Sequence, residues 1–317
     1  MHILHTFKWK RWLLVFLLIM IVAVNAVGLL FGNLIYQETS TLYSHLNDQR
    51  LQDFKQTVET KKQDEHWENI VIESPSGYPL SGTYIPNPHA SNQTLIFLHG
   101  FTENRSFGLN YLDIYRNMGF NVLLIDSRAH GDSGGSSVTW GNYEKYDVEQ
   151  WVNWVAQKHP AGIIGIHGVS MGASTAILHA ALNEKSKRVA FYIADSAYSD
   201  FETLLELQTQ RYFPNILIPK ILLQYANVAA YINARFTFYQ ASPIYAVRNV
   251  TTPILYMHGE ADRIIPAYMS QELYQATKGP RQLYIFPHAE HIAAIYDDRY
   301  KYSGIVQNFI DLIENQS

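Results

Sequence analysis

The sequence contains no cysteine among its 317 residues. This absence excludes disulfide bonds, thiolate metal sites and a cysteine nucleophile, and it leaves the redox compartment undecided. Charged residues are also few, at 16% of the chain, and 28 acidic against 24 basic residues leave a formal net charge of −4. Because no long block of lysine and arginine occurs, the sequence offers little support for binding to nucleic acid.

Recognisable metal-binding motifs are missing as well. Thirteen histidines are present, but there is no His-Glu-x-x-His motif, and His288 and His291 lack an obvious third ligand. Four other histidines mostly stand beside glycines at the ends of predicted strands, where a hydrogen-bonded structural role is expected: His99, His130, His167 and His258. We therefore expect neither a metal ion nor a cofactor.

An uncharged apolar run from Trp12 to Phe31 lies near the N-terminus. Its length of roughly 20 residues is enough to span a bilayer as a helix. Basic residues stand at positions 8, 10 and 11, and no lysine or arginine follows until Arg50. This bias predicts a single-pass membrane anchor with its N-terminus in the cytoplasm and the rest of the chain outside.

Two alternatives stay open for this run. Residues 24–26 (Val-Asn-Ala) resemble a signal-peptide cleavage site, although apolar residues continue past them; a buried core helix is the other possibility. With an uncleaved anchor, the chain divides into a cytoplasmic tail (1–11), an anchor (12–31), a polar stalk or linker helix (32–66) and a globular domain (67–317). The stalk has apolar residues at loosely helical spacing, by which it could dock on the domain: Leu42, Leu46, Phe54 and Val58.

Hydrophobic residues make up 47% of the whole chain. Its globular part alternates short apolar strands with helices. This alternation is typical of an α/β fold in which a parallel sheet is covered on both faces. Two alternating strands broken at residues 75–77 come first and predict an antiparallel hairpin at one edge. A helical stretch at about 200–250 interrupts the alternation, and we interpret it as an inserted cap, with an ordinary pair of packing helices as the alternative.

Two serines stand in a Gly-x-Ser-x-Gly motif, Ser133 and Ser170. The letters around Ser133 (GDSGG) match those around the nucleophile of trypsin-like proteases. Such enzymes are all-β proteins in which histidine and aspartate precede the serine. Here the surrounding pattern is βαβ and no helix opens directly at Ser133, so a structural turn is the better interpretation.

Ser170 has the context that a nucleophile requires. An apolar strand runs straight into Gly168-Val-Ser-Met-Gly172, and a helix of small residues follows at once. This is the strand–turn–helix of a nucleophile elbow, in which glycines allow the tight turn. The hydroxyl is then expected at the carboxyl end of the sheet, near the positive end of a helix.

A serine hydroxyl needs a base that takes its proton and a third group that orients the base. For an elbow of this kind the partners should follow in the order serine, acid, histidine. Asp262 is predicted in the loop after the next-to-last strand, and His291 in the loop after the last one. Weaker candidates are two acids and one base: Asp195, Glu260 and His288.

Backbone N–H groups should stabilise the oxyanion of the tetrahedral intermediate. Met171 supplies one because it follows the candidate nucleophile. The other is expected from Phe101, in the loop after the strand that ends in FLHGF, where Gly100 lets the backbone turn.

Five segments together resemble the α/β-hydrolase superfamily: FLHGFTEN, DSRAHGDSGG, GVSMGAS, HGEADRIIP and AEH. They are most similar to bacterial membrane-anchored or secreted serine hydrolases related to monoglyceride lipases, esterases and serine aminopeptidase-like proteins. The resemblance covers about Asn69 to the C-terminus. It implies an eight-stranded, mostly parallel sheet with a cap after the sixth strand, a triad of Ser170, Asp262 and His291, and oxyanion donors at Phe101 and Met171.

The resemblance predicts a carboxylesterase-like serine hydrolase, tethered outside the cytoplasmic membrane, that cleaves small or medium acyl esters through an acyl-enzyme. It carries no particular substrate, because this superfamily changes substrates through its cap. The lipase-type HGGG motif is absent, which argues against true long-chain lipase activity. An amidase or peptidase acting on short peptides or envelope components is one alternative, and a catalytically silent anchored binding protein is the other.

Overall fold

The computed structural model describes residues 2–41, 48–211 and 217–315. Among these residues, one helix is long and apolar enough to cross a membrane. This helix, α1, spans His2–Ser40, beyond both ends of the predicted anchor. Its apolar side chains are mostly exposed between Trp12 and Leu30. From position 28 onward every fourth residue is buried, because this face packs on another helix: Gly28, Gly32, Tyr36 and Ser40.

The polar segment over 32–66 is largely helical in the parts that the structure describes. Its first residues continue α1, and α2 spans Asp48–Asp64. Phe54 and Val58 of α2 are buried in the core together with Leu51 and Trp67. The other two apolar positions of the predicted stalk lie outside the described residues: Leu42 and Leu46.

One eight-stranded sheet forms the centre of the domain. Strands β1 to β8 span Glu68–Glu73, Pro79–Ile85, Thr94–Leu98, Asn121–Ile125, Ile164–Val169, Val189–Asp195, Ile254–Gly259 and Arg281–Phe286. They lie in the order β1-β2-β4-β3-β5-β6-β7-β8. The β1–β2 and β2–β4 pairs are antiparallel, and the other pairs are parallel. The predicted mostly parallel sheet with an edge hairpin is confirmed.

The remaining helices lie around this sheet. Helices α3 to α11 span Leu109–Asn117, Glu144–Lys158, Met171–Asn183, Phe201–Gln210, Leu217–Ala234, Pro243–Ala246, Tyr268–Ala276, Ala294–Asp297 and Arg299–Glu314. Short 3-10 turns occupy Arg105–Gly108, Phe238–Ala241 and Val247–Asn249. Because successive strand residues point to opposite faces, β3 sends Leu95 and Phe97 into one apolar core with α3 and α11. Ile96 and Leu98 enter the other core with α4, α5 and α9.

The cap lies between β6 and β7 and consists of α6, α7, α8 and two of the 3-10 turns. A third apolar cluster joins this cap to the end of α1 and to the carboxyl edge of the sheet. Its members include Tyr36 of α1, Phe201 of α6, Leu223 of α7 and Met171 of α5. The cap, the end of α1 and the carboxyl ends of the strands therefore share one packed region.

Candidate active site

Ser170 occupies a strained turn between β5 and α5. Its backbone has φ 55° and ψ −119°, a conformation that L residues rarely adopt and that costs of order 1–3 kcal/mol. The two flanking glycines are needed because neighbouring backbone comes very close. A Cβ at Gly168 would collide with the carbonyl oxygen of Gly172, and one at Gly172 would collide with that of Leu98.

The structure brings the three predicted side chains of the triad together. The Oγ of Ser170 lies 2.9 Å from Nε2 of His291, and Nδ1 of His291 lies 2.6 Å from Oδ2 of Asp262. Each residue follows the carboxyl end of a different parallel strand (β5, β7 and β8), and these ends meet at one edge of the sheet. Both distances are within ordinary hydrogen-bonding range.

Asp262 is held as a carboxylate by its surroundings. Oδ1 accepts the backbone N–H groups of Ile264 and Ile265, each at 2.8 Å. Oδ2 faces His291 and also lies 3.2 Å from Nε2 of His258. Burial opposes the charge, but the hydrogen bonds from His258 and His291 outweigh it, so the pKa of Asp262 is held well below its usual range. The carboxylate therefore keeps the proton of His291 on Nδ1 and leaves Nε2 free to accept the proton of Ser170.

The weaker candidates lie elsewhere. Asp195 is buried at the end of β6, where it accepts hydrogen bonds from the hydroxyls of Tyr302 at 2.8 Å and Ser196 at 2.9 Å. Burial raises the pKa of Asp195. Glu260 and His288 are exposed, and neither takes part in the hydrogen bonds that join Ser170, His291 and Asp262.

Ser133 has its hydroxyl engaged in the turn after β4. Its Oγ donates to the backbone carbonyl of Asp126 at 2.8 Å and accepts the N–H of Ser81 at 2.9 Å. The side chain is buried. The hydroxyl thus ties this loop to β2, and its proton is already committed to a carbonyl oxygen.

The two predicted oxyanion donors belong to segments that adjoin Ser170. Met171 is the first residue of α5 and follows Ser170 directly. Gly100 precedes Phe101 and approaches so closely that a Cβ on it would lie 3.3 Å from Cβ of Ser170. The ring of Phe101 packs against that of Trp140, with centroids 4.9 Å apart.

His99 orients the peptide between Gly100 and Phe101. Its Nδ1 lies 2.8 Å from the carbonyl oxygen of Gly100, and its Nε2 accepts the N–H of Ser127 at 3.0 Å. Burial lowers the pKa of His99 to about 4, so the ring is neutral and Nδ1 donates. In a trans peptide the C=O and the N–H point in opposite directions, so the N–H of Phe101 is directed away from His99.

A cleft of about 500 Å³ opens at Ser170 and His291. Its walls come from the loop after β3 (residues 100–103), the loop after β7 (residues 264 and 265), α6 and the end of α1, and they are mostly apolar. Glu38 and Thr39 of α1 contribute to the lining. Two backbone carbonyl oxygens hold the end of α1 there. That of Thr39 accepts the indole N–H of Trp140 at 3.1 Å, and that of Ser40 accepts the N–H of Val138 at 2.8 Å.

Sequence reasoning missed three contributors to this region: His99, His258 and the end of α1. The glycines beside both histidines at strand ends predict a hydrogen-bonded structural role, and both rings are hydrogen-bonded. The pattern does not predict their contact with the site, although their position suggests it: His99 directly precedes Gly100, and His258 lies four residues before Asp262. Nothing in the local pattern of residues 38 and 39 indicates that they reach the cleft.

The fold and the arrangement around Ser170 define an α/β-hydrolase, and comparisons with known proteins agree. The family model described as the alpha/beta hydrolase fold matches residues 93–227. Protein YqkD of Bacillus subtilis is 31% identical over 92% of this chain and 94% of its own length. The chain belongs to the α/β-hydrolase family.

Solved structures with the same fold include two esterases. Esterase Pf2001 of Pyrococcus furiosus has a TM-score of 0.62 at 24% identity, covering 79% of this chain and 94% of that one. Esterase EaEST of Exiguobacterium antarcticum has a TM-score of 0.56 at 18% identity, covering 77% of this chain and all of its own. At these identities the likeness concerns the fold.

Proposed function

We propose that the protein is a serine hydrolase that cleaves carboxylic esters with small or medium acyl groups through an acyl-enzyme. The observation that carries this proposal is the unbroken series of hydrogen bonds from Ser170 through His291 to Asp262. It links a nucleophile, a base and an orienting acid in the geometry that acyl transfer requires.

In the proposed mechanism, Nε2 of His291 takes the proton of Ser170 while Oγ attacks the ester carbonyl carbon. The N–H groups of Phe101 and Met171 donate to the resulting oxyanion. His291 then gives the proton to the leaving alcohol, and the carbonyl re-forms as an acyl ester of Ser170. A water molecule, deprotonated by His291, attacks this ester, and the acid is released with Ser170 restored.

Two features support ester substrates. The cleft beside Ser170 is mostly apolar and about 500 Å³ in volume, which suits an acyl group of small or medium size. Two proteins of the same fold, Pf2001 and EaEST, are esterases by name.

A panel of substrates tests this assignment. We expect the full chain to hydrolyse p-nitrophenyl acetate and butyrate at least about a hundredfold faster, by kcat/KM, than aminoacyl p-nitroanilides, a difference of roughly 2.7 kcal/mol in activation free energy. A preference for anilides would identify an amidase or peptidase instead. Absence of both activities, together with no labelling by a fluorophosphonate, would indicate a silent binding protein.

We also propose that residues 12–31 are an uncleaved membrane anchor, with residues 1–11 in the cytoplasm and the domain over 67–317 outside. Exposed apolar side chains along this part of α1 support the proposal. Helix α7, which packs on α1, keeps further apolar side chains exposed that suit the membrane surface: Ile218, Ile221, Val228 and Ile232.

The lack of cysteine allows a direct test of the topology. Single-cysteine variants Lys10→Cys and Ser76→Cys place one thiol at an exposed position before the anchor and one in the hairpin turn. In bacterial cells that keep an intact cytoplasmic membrane but have lost any outer envelope layer, a membrane-impermeant maleimide should label only Ser76→Cys. Lys10→Cys should react after permeabilisation. If Lys10→Cys is not labelled even after permeabilisation, and the mature chain is shorter than the full sequence, the segment is a cleaved signal. The opposite labelling pattern would reverse the orientation.

A further inference from the structure

A second pocket lies between the end of α1 and the cap. It has a volume of about 470 Å³ and is bounded by α1, α6 and α7. Its walls are almost purely hydrocarbon, which distinguishes them from the mixed walls of the Ser170 cleft. The apolar side chains in these walls include Phe31, Leu34, Ile35, Leu205, Leu222 and Leu223.

This pocket adjoins the Ser170 cleft. Four residues line both spaces: Glu38, Thr39, Leu205 and Gln208. Leu205 is buried at this shared wall. The amide of Gln208 is held to one side by donating to the carbonyl oxygen of Ile264 at 2.6 Å. The pocket and the Ser170 cleft therefore lie side by side and share this wall.

The pocket is built by close packing of α1 on α7. A Cβ at Gly28 would collide with the ring of Tyr225, and one at Gly32 would collide with its backbone. The hydroxyl of Tyr225 donates to Oδ1 of Asn25 at 3.1 Å, and Nδ2 of Asn233 donates to Oδ1 of Asn33 at 3.0 Å. Small residues that let two helices approach, with polar side chains bonded across them, are typical of helix pairs in membranes.

We infer that this pocket binds the acyl chain of the ester and that α1 is a wall of the substrate site as well as an anchor. The ligand class is a medium-length, unbranched acyl ester, with its carbonyl at Ser170 and its tail against Leu34, Leu205 and Leu222. This assignment rests on the proposed esterase function. Each methylene that leaves water for this pocket should raise kcat/KM by up to about fourfold.

The test uses the full chain in phospholipid nanodiscs and compares p-nitrophenyl octanoate with p-nitrophenyl acetate. We expect the unaltered chain to prefer octanoate by about tenfold or more in kcat/KM. Leu34→Trp fills the pocket from α1 and Leu222→Trp fills it from α7. Each should lower the octanoate-to-acetate ratio by about tenfold. Leu30→Trp makes the same substitution one helical turn earlier, at a side chain that is 60% exposed and outside the pocket, and should keep the ratio.

The outcomes separate this inference from the proposed function. An octanoate-to-acetate ratio that stays the same in either pocket variant would overturn the acyl site. This result is expected if a bilayer lipid permanently fills the pocket. Acetate hydrolysis that depends on Ser170 would still leave the esterase assignment standing. A chain that hydrolyses neither ester and is not labelled by a fluorophosphonate would overturn both. In each variant, unchanged kcat/KM for acetate shows that the Ser170 site is intact, so that a lowered octanoate-to-acetate ratio reports the pocket and not misfolding.

Discussion

Replacing Ser170 by alanine should lower kcat on p-nitrophenyl acetate by about four to six powers of ten. The substitution removes the only atom that can form the acyl-enzyme in the proposed mechanism, while His291, Asp262 and the oxyanion donors stay in place. What activity is left should reflect binding and oxyanion stabilisation alone. Labelling by a fluorophosphonate should disappear as well, and both effects can be measured on the same purified chain.

Ser133→Ala is the matched control, because Ser133 stands in the second Gly-x-Ser-x-Gly motif of the chain. It should keep both turnover and labelling. It should nevertheless destabilise the fold by about 1–3 kcal/mol, because the N–H of Ser81 and the carbonyl of Asp126 lose a buried partner. If Ser170→Ala stays labelled, or if a folded Ser133→Ala is not labelled while Ser170→Ala is, Ser170 is not the nucleophile.

Asp262→Asn should lower kcat by about four powers of ten. The amide can present its NH₂ group to Nδ1 of His291. The imidazole then carries its own proton on Nε2, so Nε2 can no longer accept the proton of Ser170. The structure near the site should persist, because the amide oxygen can take the place of Oδ1 and still accept the N–H groups of Ile264 and Ile265. Steady-state kinetics on an activated ester measure the loss, and circular dichroism checks the fold.

Asp195→Asn provides the comparison with the rival acid. Its partners are the hydroxyls of Tyr302 and Ser196, which can rotate to suit an amide. An amide at this position leaves the hydrogen bonds that join Ser170, His291 and Asp262 in place. We expect a decrease in kcat of about tenfold or less. The backbone carbonyl of residue 195 accepts the N–H of Ser170, so a small shift of this segment would slightly misplace the serine. A larger loss in Asp195→Asn than in Asp262→Asn would reverse the assignment of the acid.

Much of the fold could be predicted because its signals are local. Apolar runs bounded by glycine-rich loops mark the parallel strands, and the turn at residues 75–77 marks the edge hairpin. The strained turn at Ser170 could also be predicted, because the glycines at 168 and 172 are needed wherever backbone approaches that closely. The strand order was beyond these signals, since pairing depends on contacts between segments far apart in the chain.

The site could be predicted only as a set of candidates. The order of serine, acid and histidine selected Ser170, Asp262 and His291, but a pattern cannot state that an imidazole lies 2.9 Å from a hydroxyl. The same limit explains His258, whose approach to Asp262 depends on the path of the loop after β7. The division of the chain into tail, anchor, stalk and domain stays a proposal.

By itself, the sequence determined the alternation of strands and helices, the serine turn and an apolar run long enough to cross a bilayer, since each depends on neighbouring residues. Only the tertiary structure decided that α1 continues to Ser40, packs on α7 through Gly28 and Gly32, and ends beside the Ser170 cleft. The physical reason is that these contacts join side chains about 200 positions apart. Such contacts form when buried surfaces fit together, and no periodicity along the chain encodes that fit.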